Sequence, residues 1–171
     1  IVGFFNEGVV GVLDLNNFNY KKISLSSTGD NTIYKVPHFG YWGIVNDMAI
    51  VPMVTSNKLL VIDLKNIKPL KEIELIGRPV FATVSPDLKS LIVSYSGDKE
   101  DYISLIDTKT LTKKFDIKAG QRIMHFRYSQ DGKYFYTSSY FENKVHVFET
   151  QDWKKINSFT VATPSGIFIK E

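Results

Sequence analysis

Apolar runs that end in an acidic residue recur along the chain and set the first expectation about its fold. Val10–Asn17 is an apolar run followed by an acid and a polar turn, and this order of residue types returns three more times. The acidic residues that close the four runs are Asp14, Asp63, Asp107 and Glu149. They stand 49, 44 and 42 residues apart, and such a period indicates a repeated structural unit.

Each unit continues in the same way after its acidic residue. A polar turn leads to a short strand, then a loop, then a strand that ends in a turn such as Ser85–Lys89 or Ser129–Lys133. These turns contain Pro-Asp-Leu and Asp-Gly, which favour tight reversals of the chain. Four short strands in about 40–45 residues is the period of a β-propeller blade. A two-sheet β-sandwich is the alternative, and it is disfavoured because a sandwich needs no regular repeat.

The repeat therefore predicts an all-β chain: a β-propeller of about four blades with four antiparallel strands each, which is half of a larger ring. The predicted units cover roughly residues 1–47, 48–89, 90–133 and 134–171. Strands A to D of one blade, counted from the channel outwards, are predicted at residues 80–84, 91–94, 103–106 and 113–117.

Both ends of the sequence fall inside predicted strands. Ile1 lies in the apolar run Ile1–Phe5, and Gly166–Ile169 predicts a lone strand A with no blade behind it. An open half-ring would expose two apolar blade faces. We therefore expect either an N-terminal half that this sequence lacks or self-association of two copies through the exposed blade faces.

Composition narrows the possible functions. The 171 residues are 43% hydrophobic and 23% charged, as in a packed globular domain. A net charge of +3 without a dense basic block gives no support to nucleic-acid binding. The chain has no cysteine, which excludes disulfides, thiolate metal sites and cysteine nucleophiles. No apolar stretch approaches the roughly 20 residues of a membrane helix, and no phosphate loop or serine-hydrolase motif is present.

Arginines mark one face of the predicted propeller. The loops that join strand D of one blade to strand A of the next surround the channel mouth, and they are predicted at residues 26–38, 76–79, 118–123 and 160–165. Only three of the 21 basic residues are arginines: Arg78 and Arg122 lie in these loops, and Arg127 lies on a following strand A. Arginine suits bidentate binding of a carboxylate or phosphate. Their placement favours an anionic ligand, with a structural ion pair as the alternative for each.

Two histidines are predicted on the same face. His38 ends the longest of these loops and His125 opens a strand A, whereas His146 lies in mid-strand and is predicted to be structural. Their spacing matches no metal-binding motif. Four aromatic residues are candidates for covering an apolar ligand, with core packing as the alternative: Phe39, Tyr41, Trp42 and Phe81.

An ordered set of motifs resembles a known family. Gly77–Ala82, Ser85–Asp87, Ile123–Phe126 and Pro164–Phe168 follow the order and spacing of the haem d1 propeller proteins. That family includes the eight-bladed domain of the cytochrome-type nitrite reductase and relatives that act in haem d1 biosynthesis. The chain is most similar to the C-terminal half of the biosynthesis members. Residues 34–38 resemble the family segment that delivers a distal histidine.

The resemblance implies a tetrapyrrole, haem d1 or a late precursor, bound at the channel mouth. It makes His38 the catalytic candidate and a possible ligand of the haem iron, Arg78 and Arg122 anion contacts, and His125 part of the pocket wall. Ser165, in the turn Thr163–Gly166, is a candidate hydrogen-bond donor to the cofactor. An oxidoreductase-like step on the precursor would then use the tetrapyrrole as the reactive partner.

The resemblance also separates two kinds of family member. A nitrite reductase would carry a second distal histidine at about Arg78, so the arginine there favours the biosynthesis branch. The resemblance further implies a periplasmic location and other haem d1 maturation proteins as partners. The competing interpretation is a non-catalytic interaction β-propeller of a cell-envelope protein, in which His38, Arg78 and Arg122 are structural. Binding of a haem-like chromophore by the full-length protein would distinguish the two.

Overall fold

The computed structural model describes residues 1–4, 7–24 and 42–170. Within these residues the chain forms fifteen β-strands and one short 3-10 helix, Gly97–Lys99. The strands are β1 (Val2–Gly3), β2 (Val9–Leu13), β3 (Tyr20–Ser24), β4 (Gly43–Val45), β5 (Met48–Met53), β6 (Lys58–Asp63), β7 (Lys68–Glu74), β8 (Arg78–Val84), β9 (Ser90–Ser96), β10 (Tyr102–Asp107), β11 (Thr112–Lys118), β12 (Ile123–Tyr128), β13 (Tyr134–Ser139), β14 (Lys144–Glu149) and β15 (Lys154–Thr160). No helix in the described ranges is long and apolar enough to span a membrane.

Within the described ranges, the strands pair only with their neighbours in sequence. They form one three-stranded sheet, β1-β2-β3, and three four-stranded sheets, β4 to β7, β8 to β11 and β12 to β15. The predicted strands A to D at 80–84, 91–94, 103–106 and 113–117 all lie inside β8 to β11, in the predicted order. The prediction of blades made of four adjacent antiparallel strands is therefore confirmed for three sheets, and the first sheet has three strands in the described residues.

The predicted lone strand at Gly166–Ile169 is wrong. Residues 164–170 belong to no sheet, because an inner strand forms only where a neighbouring strand satisfies its backbone groups. Within this segment the Ile167 N–H instead donates a hydrogen bond to the Nδ1 atom of His125, at 3.0 Å.

The chain divides into two compact units, residues 1–82 and residues 83–171, and the boundary falls inside β8. Unit 1 is built on a cluster of buried apolar side chains from β2, β5 and β6: Val10, Ala49, Val51, Met53, Leu60 and Ile62. In unit 2 the fully buried Phe135 lies among the rings of Phe126, Tyr128 and Trp153. The apolar runs lack alternation because the middle strands are covered on both faces, as the buried residues 59–62 show.

The repeated acidic residue precedes the turn before the last strand of each sheet, and in three of the sheets its carboxylate organises that turn. The Oδ1 atoms of Asp14, Asp63 and Asp107 each accept the backbone N–H two residues later, at 2.8, 2.8 and 2.9 Å. At Asp107 a second hydrogen bond, from the Thr110 N–H, is the largest of the contacts that hold the carboxyl pKa below its ordinary value. At these three positions the recurring acid is therefore explained by turn geometry.

The same turns each place an apolar residue in the left-handed backbone region. The residues at this position are Phe18, Ile67, Leu111 and Trp153, with φ between 49° and 58°. This conformation costs about 1–2 kcal/mol for a residue other than glycine. At Trp153 packing offsets the cost, because its indole lies 6.1 Å from the ring of Phe115 and 5.4 Å from the ring of Phe135.

Candidate functional site

The loop between β11 and β12 carries Arg122 in a fixed but strained backbone conformation. Arg122 has φ = 56°, a left-handed value that a non-glycine residue keeps only where its surroundings hold it. Its N–H donates to Oδ1 of Asp101 at 3.0 Å, and its carbonyl accepts the Tyr140 N–H at 3.1 Å. The turns before β10 and before β14 thus hold this arginine from two sides.

The Arg122 guanidinium is held by its neighbours but remains accessible. It lies 5.5 Å from the centroid of the Phe141 ring, and its Nη1 atom is 4.0 Å from Oε2 of Glu100. The side chain is still 47% exposed. A long, exposed ion pair of this kind contributes little to stability. This contact with Glu100 is a structural ion pair, which the sequence analysis gave as the alternative to ligand binding. The exposed part of the guanidinium nevertheless remains open to an anion.

His125 lies on β12, three residues after Arg122, and connects the strand to the C-terminal segment. The strand carries a bulge between Ile123 and His125, and the His125 N–H donates to Oγ of Ser138 at 2.8 Å. Because the Ile167 N–H can only donate, Nδ1 of His125 is the acceptor and the proton of the neutral ring lies on Nε2. Burial lowers the pKa of His125, and Arg127 lowers it further.

His125 should therefore make the protein's stability depend on pH. Protonated Nδ1 cannot accept the Ile167 N–H, and the folded-state pKa lies below the ordinary value of 6.5. The unfolded chain binds the proton first, so this contribution is complete above about pH 6.5 and is lost as the pH falls toward the folded-state pKa.

Thermal melting of the full-length protein at pH 7.5 and pH 5.5 measures this effect. We expect a lower midpoint at pH 5.5, and a smaller difference in the variant His125→Gln, which offers an acceptor that does not titrate. An equal difference in both proteins would contradict the assignment to His125.

The other predicted site residues lie in different places. Ser165 is exposed, two residues before the contact of Ile167 with His125, so the structure brings its segment to β12. Arg78 is the exposed first residue of β8 and belongs to unit 1. Among the described residues, no carboxylate oxygen lies within 4.0 Å of its guanidinium. His38 lies outside the described residues, and its placement stays a prediction.

The four aromatic candidates also lie in different places. Phe39 and Tyr41 also lie outside the described residues. Trp42 is partly buried and packs against the apolar cluster of unit 1, which supports core packing, the alternative to a ligand contact. Phe81 is half-buried on β8.

His146 is structural, as its mid-strand position predicts. It is 2% exposed, and both of its ring nitrogens are hydrogen-bonded, Nε2 to Oε2 of Glu142 at 2.7 Å and Nδ1 to Oγ of Ser158 at 2.8 Å. Sequence reasoning missed Glu142, although a carboxylate four residues before a histidine was a visible signal. No group of three or more His, Asp or Glu side chains that could hold a metal ion occurs among the described residues.

A groove of about 410 Å³ in unit 2 lies away from these residues. It is lined by the turns after β8, β12 and β14, with Pro86, Asp131 and Trp153 among its walls. None of Arg122, His125 and Ser165 lines it. The groove therefore does not belong to the candidate site.

Comparison with known proteins identifies the family. A sequence model described as the cytochrome D1 heme domain matches residues 21–171. The chain belongs to the cytochrome D1 haem domain family. The resemblance drawn from the sequence motifs is thereby confirmed, since those motifs all lie inside the matched range.

Curated relatives of this cytochrome D1 family member include two proteins named NirF and a dihydro-heme d1 dehydrogenase. The chain is 30% identical to Protein NirF of Pseudomonas aeruginosa and 25% identical to Protein NirF of Stutzerimonas stutzeri, each over 136 residues, or 80% of the chain and 35% of the relative. It is 28% identical over 139 residues to the dihydro-heme d1 dehydrogenase of Pseudomonas aeruginosa, covering 77% of the chain and 28% of that protein. The chain thus spans about a third of the length of these relatives.

Solved structures confirm the propeller fold of the family member. Dihydro-heme d1 dehydrogenase NirN in complex with DHE matches with a TM-score of 0.76 and 25% identity, over 94% of this chain and 34% of that chain. Kuenenia stuttgartiensis hydrazine synthase matches with a TM-score of 0.74 and 17% identity, over 93% and 45% of the two chains. The second likeness concerns the fold alone.

Proposed function

We propose that this chain is part of a periplasmic haem d1 biosynthesis protein that binds haem d1 or a late tetrapyrrole precursor at the mouth of the propeller channel. The observation that carries the proposal is the similarity of about four-fifths of the chain to NirF and to a dihydro-heme d1 dehydrogenase. Other haem d1 maturation proteins are the proposed partners.

The described residues fit the chemistry of such a ligand. A tetrapyrrole carries carboxylates, and a buried carboxylate needs a charged partner. Arg78 is exposed at the start of β8, and Arg122 keeps about half of its side chain open beside the Phe141 ring. Both arginines can therefore bind a ligand carboxylate without first breaking a close ion pair to a described residue.

His125 fits a different role from that of an iron ligand. Its Nδ1 atom is occupied by the Ile167 N–H, and its neutral ring carries the proton on Nε2. A ring in this state can donate a hydrogen bond to an oxygen atom of a ligand. This supports the pocket-wall role and leaves His38 as the proposed residue nearest to the metal.

The reaction chemistry would come from the ligand. A bound tetrapyrrole supplies redox chemistry, and the protein supplies binding, orientation and exclusion of water. Arg78 and Arg122 would fix the carboxylates, and the Nε2–H of His125 would orient a polar edge. An oxidoreductase-like tailoring step on the precursor is part of the proposal.

Titration of the full-length protein with haem d1 tests the proposal. We expect a stable complex whose visible absorption bands shift in His38→Ala, because the group that faces the iron is lost. Lys154→Ala, a change on the exposed strand β15, should leave the spectrum unchanged. A full-length protein that retains no chromophore would refute the proposal and favour the interaction propeller.

A further inference from the structure

A chain of hydrogen bonds in unit 2 begins at the enclosed His146. Its Nε2 atom lies 2.7 Å from Oε2 of Glu142. Burial by itself raises the pKa of Glu142, but hydrogen bonds from Ser139 and His146 outweigh it and bring the pKa below its ordinary value. Glu142 is thus a carboxylate held in place by a buried ring.

The chain continues from Glu142 to the backbone beside Arg122. The Ser139 hydroxyl has two acceptors within reach, Oε2 of Glu142 and the more distant Gln121 carbonyl oxygen at 3.4 Å, and it donates its one proton to the closer, charged Glu142. Its oxygen accepts the Gln121 N–H at 2.6 Å. Ser139 is fully buried. The orientation of its hydroxyl, and with it the hydrogen bond to Gln121, therefore depends on the Glu142 carboxylate.

The loop before β12 lies directly against this turn. A Cβ atom at Gly120 would come within 2.8 Å of the Ser139 Cβ. Residue 120 therefore has no room for a side chain, and the two backbone segments lie in close contact. The Phe141 N–H donates to the Gln121 carbonyl at 3.2 Å, and the Tyr140 N–H donates to the Arg122 carbonyl. Displacement of the turn would therefore move both the backbone of Arg122 and the Phe141 ring beside its guanidinium.

The preceding sheet carries a different hydrogen-bond network at the equivalent pair of residues. Ser104 faces Asp116 across its strand pair as His146 faces Ser158. Its hydroxyl is hydrogen-bonded to Tyr95 and Asp116, and Asp116 binds Lys113 at 2.6 Å. In this sheet the carboxylate is paired with a lysine, whereas in the last sheet the carboxylate of Glu142 is connected through Ser139 to the loop of Arg122.

We propose that Glu142, locked by His146, is a positioning residue that acts through Ser139 and Gln121 to hold Arg122 where it binds an anionic group of the ligand. The proposal rests on the proposed function for its ligand, but the geometry of the loop does not depend on that ligand. Glu142 itself contacts Ser139 and His146 and is not placed at the ligand.

Amide hydrogen exchange of the full-length, ligand-free protein tests the positioning step. In Glu142→Ala we expect the amides of Gln121 and Arg122 to exchange about tenfold faster, the effect of losing one hydrogen bond that depends on a charged group. Glu142→Gln retains an acceptor in the same volume and should accelerate exchange by only about threefold. Asp116→Ala, the matched carboxylate removal in the preceding sheet, should leave these two amides within twofold of the wild type.

Haem d1 affinity provides the readout that a purely structural role would not change. Glu142→Ala alone should weaken haem d1 binding about tenfold. Added to Arg122→Ala, it should cause no further loss of affinity, because Glu142 acts through that arginine. Unchanged exchange at residues 121 and 122, acceleration spread equally over β9 and β10, or full additivity with Arg122→Ala would overturn the positioning role. Absence of haem d1 binding by the wild type would refute the proposed function while the exchange results still decide the positioning of the loop.

Discussion

Replacement of Phe135 by alanine is expected to lower the free energy of unfolding by about 3–5 kcal/mol, the range for truncating a buried aromatic side chain. Phe135 has no exposed surface. Its ring lies 4.8 Å from that of Tyr128, 5.4 Å from that of Trp153 and 5.5 Å from that of Phe126. Alanine would leave a cavity among side chains of β12 and of the turn before β15, which cannot all close over it.

Urea unfolding of the full-length protein measures this loss. Tyr134→Ala is the matched control, because it removes an aromatic ring from the adjacent position of β13 where the side chain is 37% exposed. We expect the control to cost less than about 1 kcal/mol. Equal shifts of the unfolding midpoint in the two variants would show that Phe135 is not the centre of this core.

The fold could be predicted because its signal is local and repeated. Asp14, Asp63 and Asp107 each form the same side-chain-to-backbone turn, so one residue type marks one structural position. The left-handed backbone at Phe18, Ile67, Leu111 and Trp153 could not be predicted in this way. Glycine and asparagine are the usual signals for that conformation, whereas here bulky apolar residues adopt it, with ring packing as compensation at Trp153 and a backbone hydrogen bond to the preceding aspartate at Phe18 and Leu111.

Residue type and loop position predicted some residues of the candidate site, but they did not predict the contacts that hold those residues. Arg122 and His125 were found from their place beside a loop, and both take part in specific contacts. The partners that fix them were missed because they are distant in sequence: Ser139 lies 18 residues after Gln121, and Ile167 lies 42 residues after His125. Register between strands decides such contacts, and a single sequence does not contain it.

The incorrect strand at Gly166–Ile169 has the same origin. Its apolar pattern is that of a strand, but a strand also needs a neighbour whose backbone groups it can pair with. In the described residues that segment finds a histidine side chain instead. An apolar pattern therefore predicts that a segment can form a strand, and only the pairing partner decides whether it does.

Arg78→Ala is expected to weaken haem d1 binding to the full-length protein by about 1.5–3 kcal/mol, the range for one hydrogen bond to a charged group. This corresponds to a loss of affinity of about 10- to 150-fold. Arg78 is exposed at the start of β8, and no described carboxylate within 4.0 Å competes for its guanidinium. The whole interaction with a ligand carboxylate would therefore be lost on truncation.

Arg122→Ala should weaken haem d1 binding less than Arg78→Ala does. Part of the Arg122 charge is already directed to Glu100, 4.0 Å away, so a ligand carboxylate gains less from this arginine. Lys68→Ala removes a positive charge from exposed strand β7 of unit 1 and controls for the general loss of charge. Isothermal titration at two salt concentrations measures all three variants. If Lys68→Ala matched Arg78→Ala at both concentrations, the affinity would come from net charge, and Arg78 would have no specific contact with the ligand.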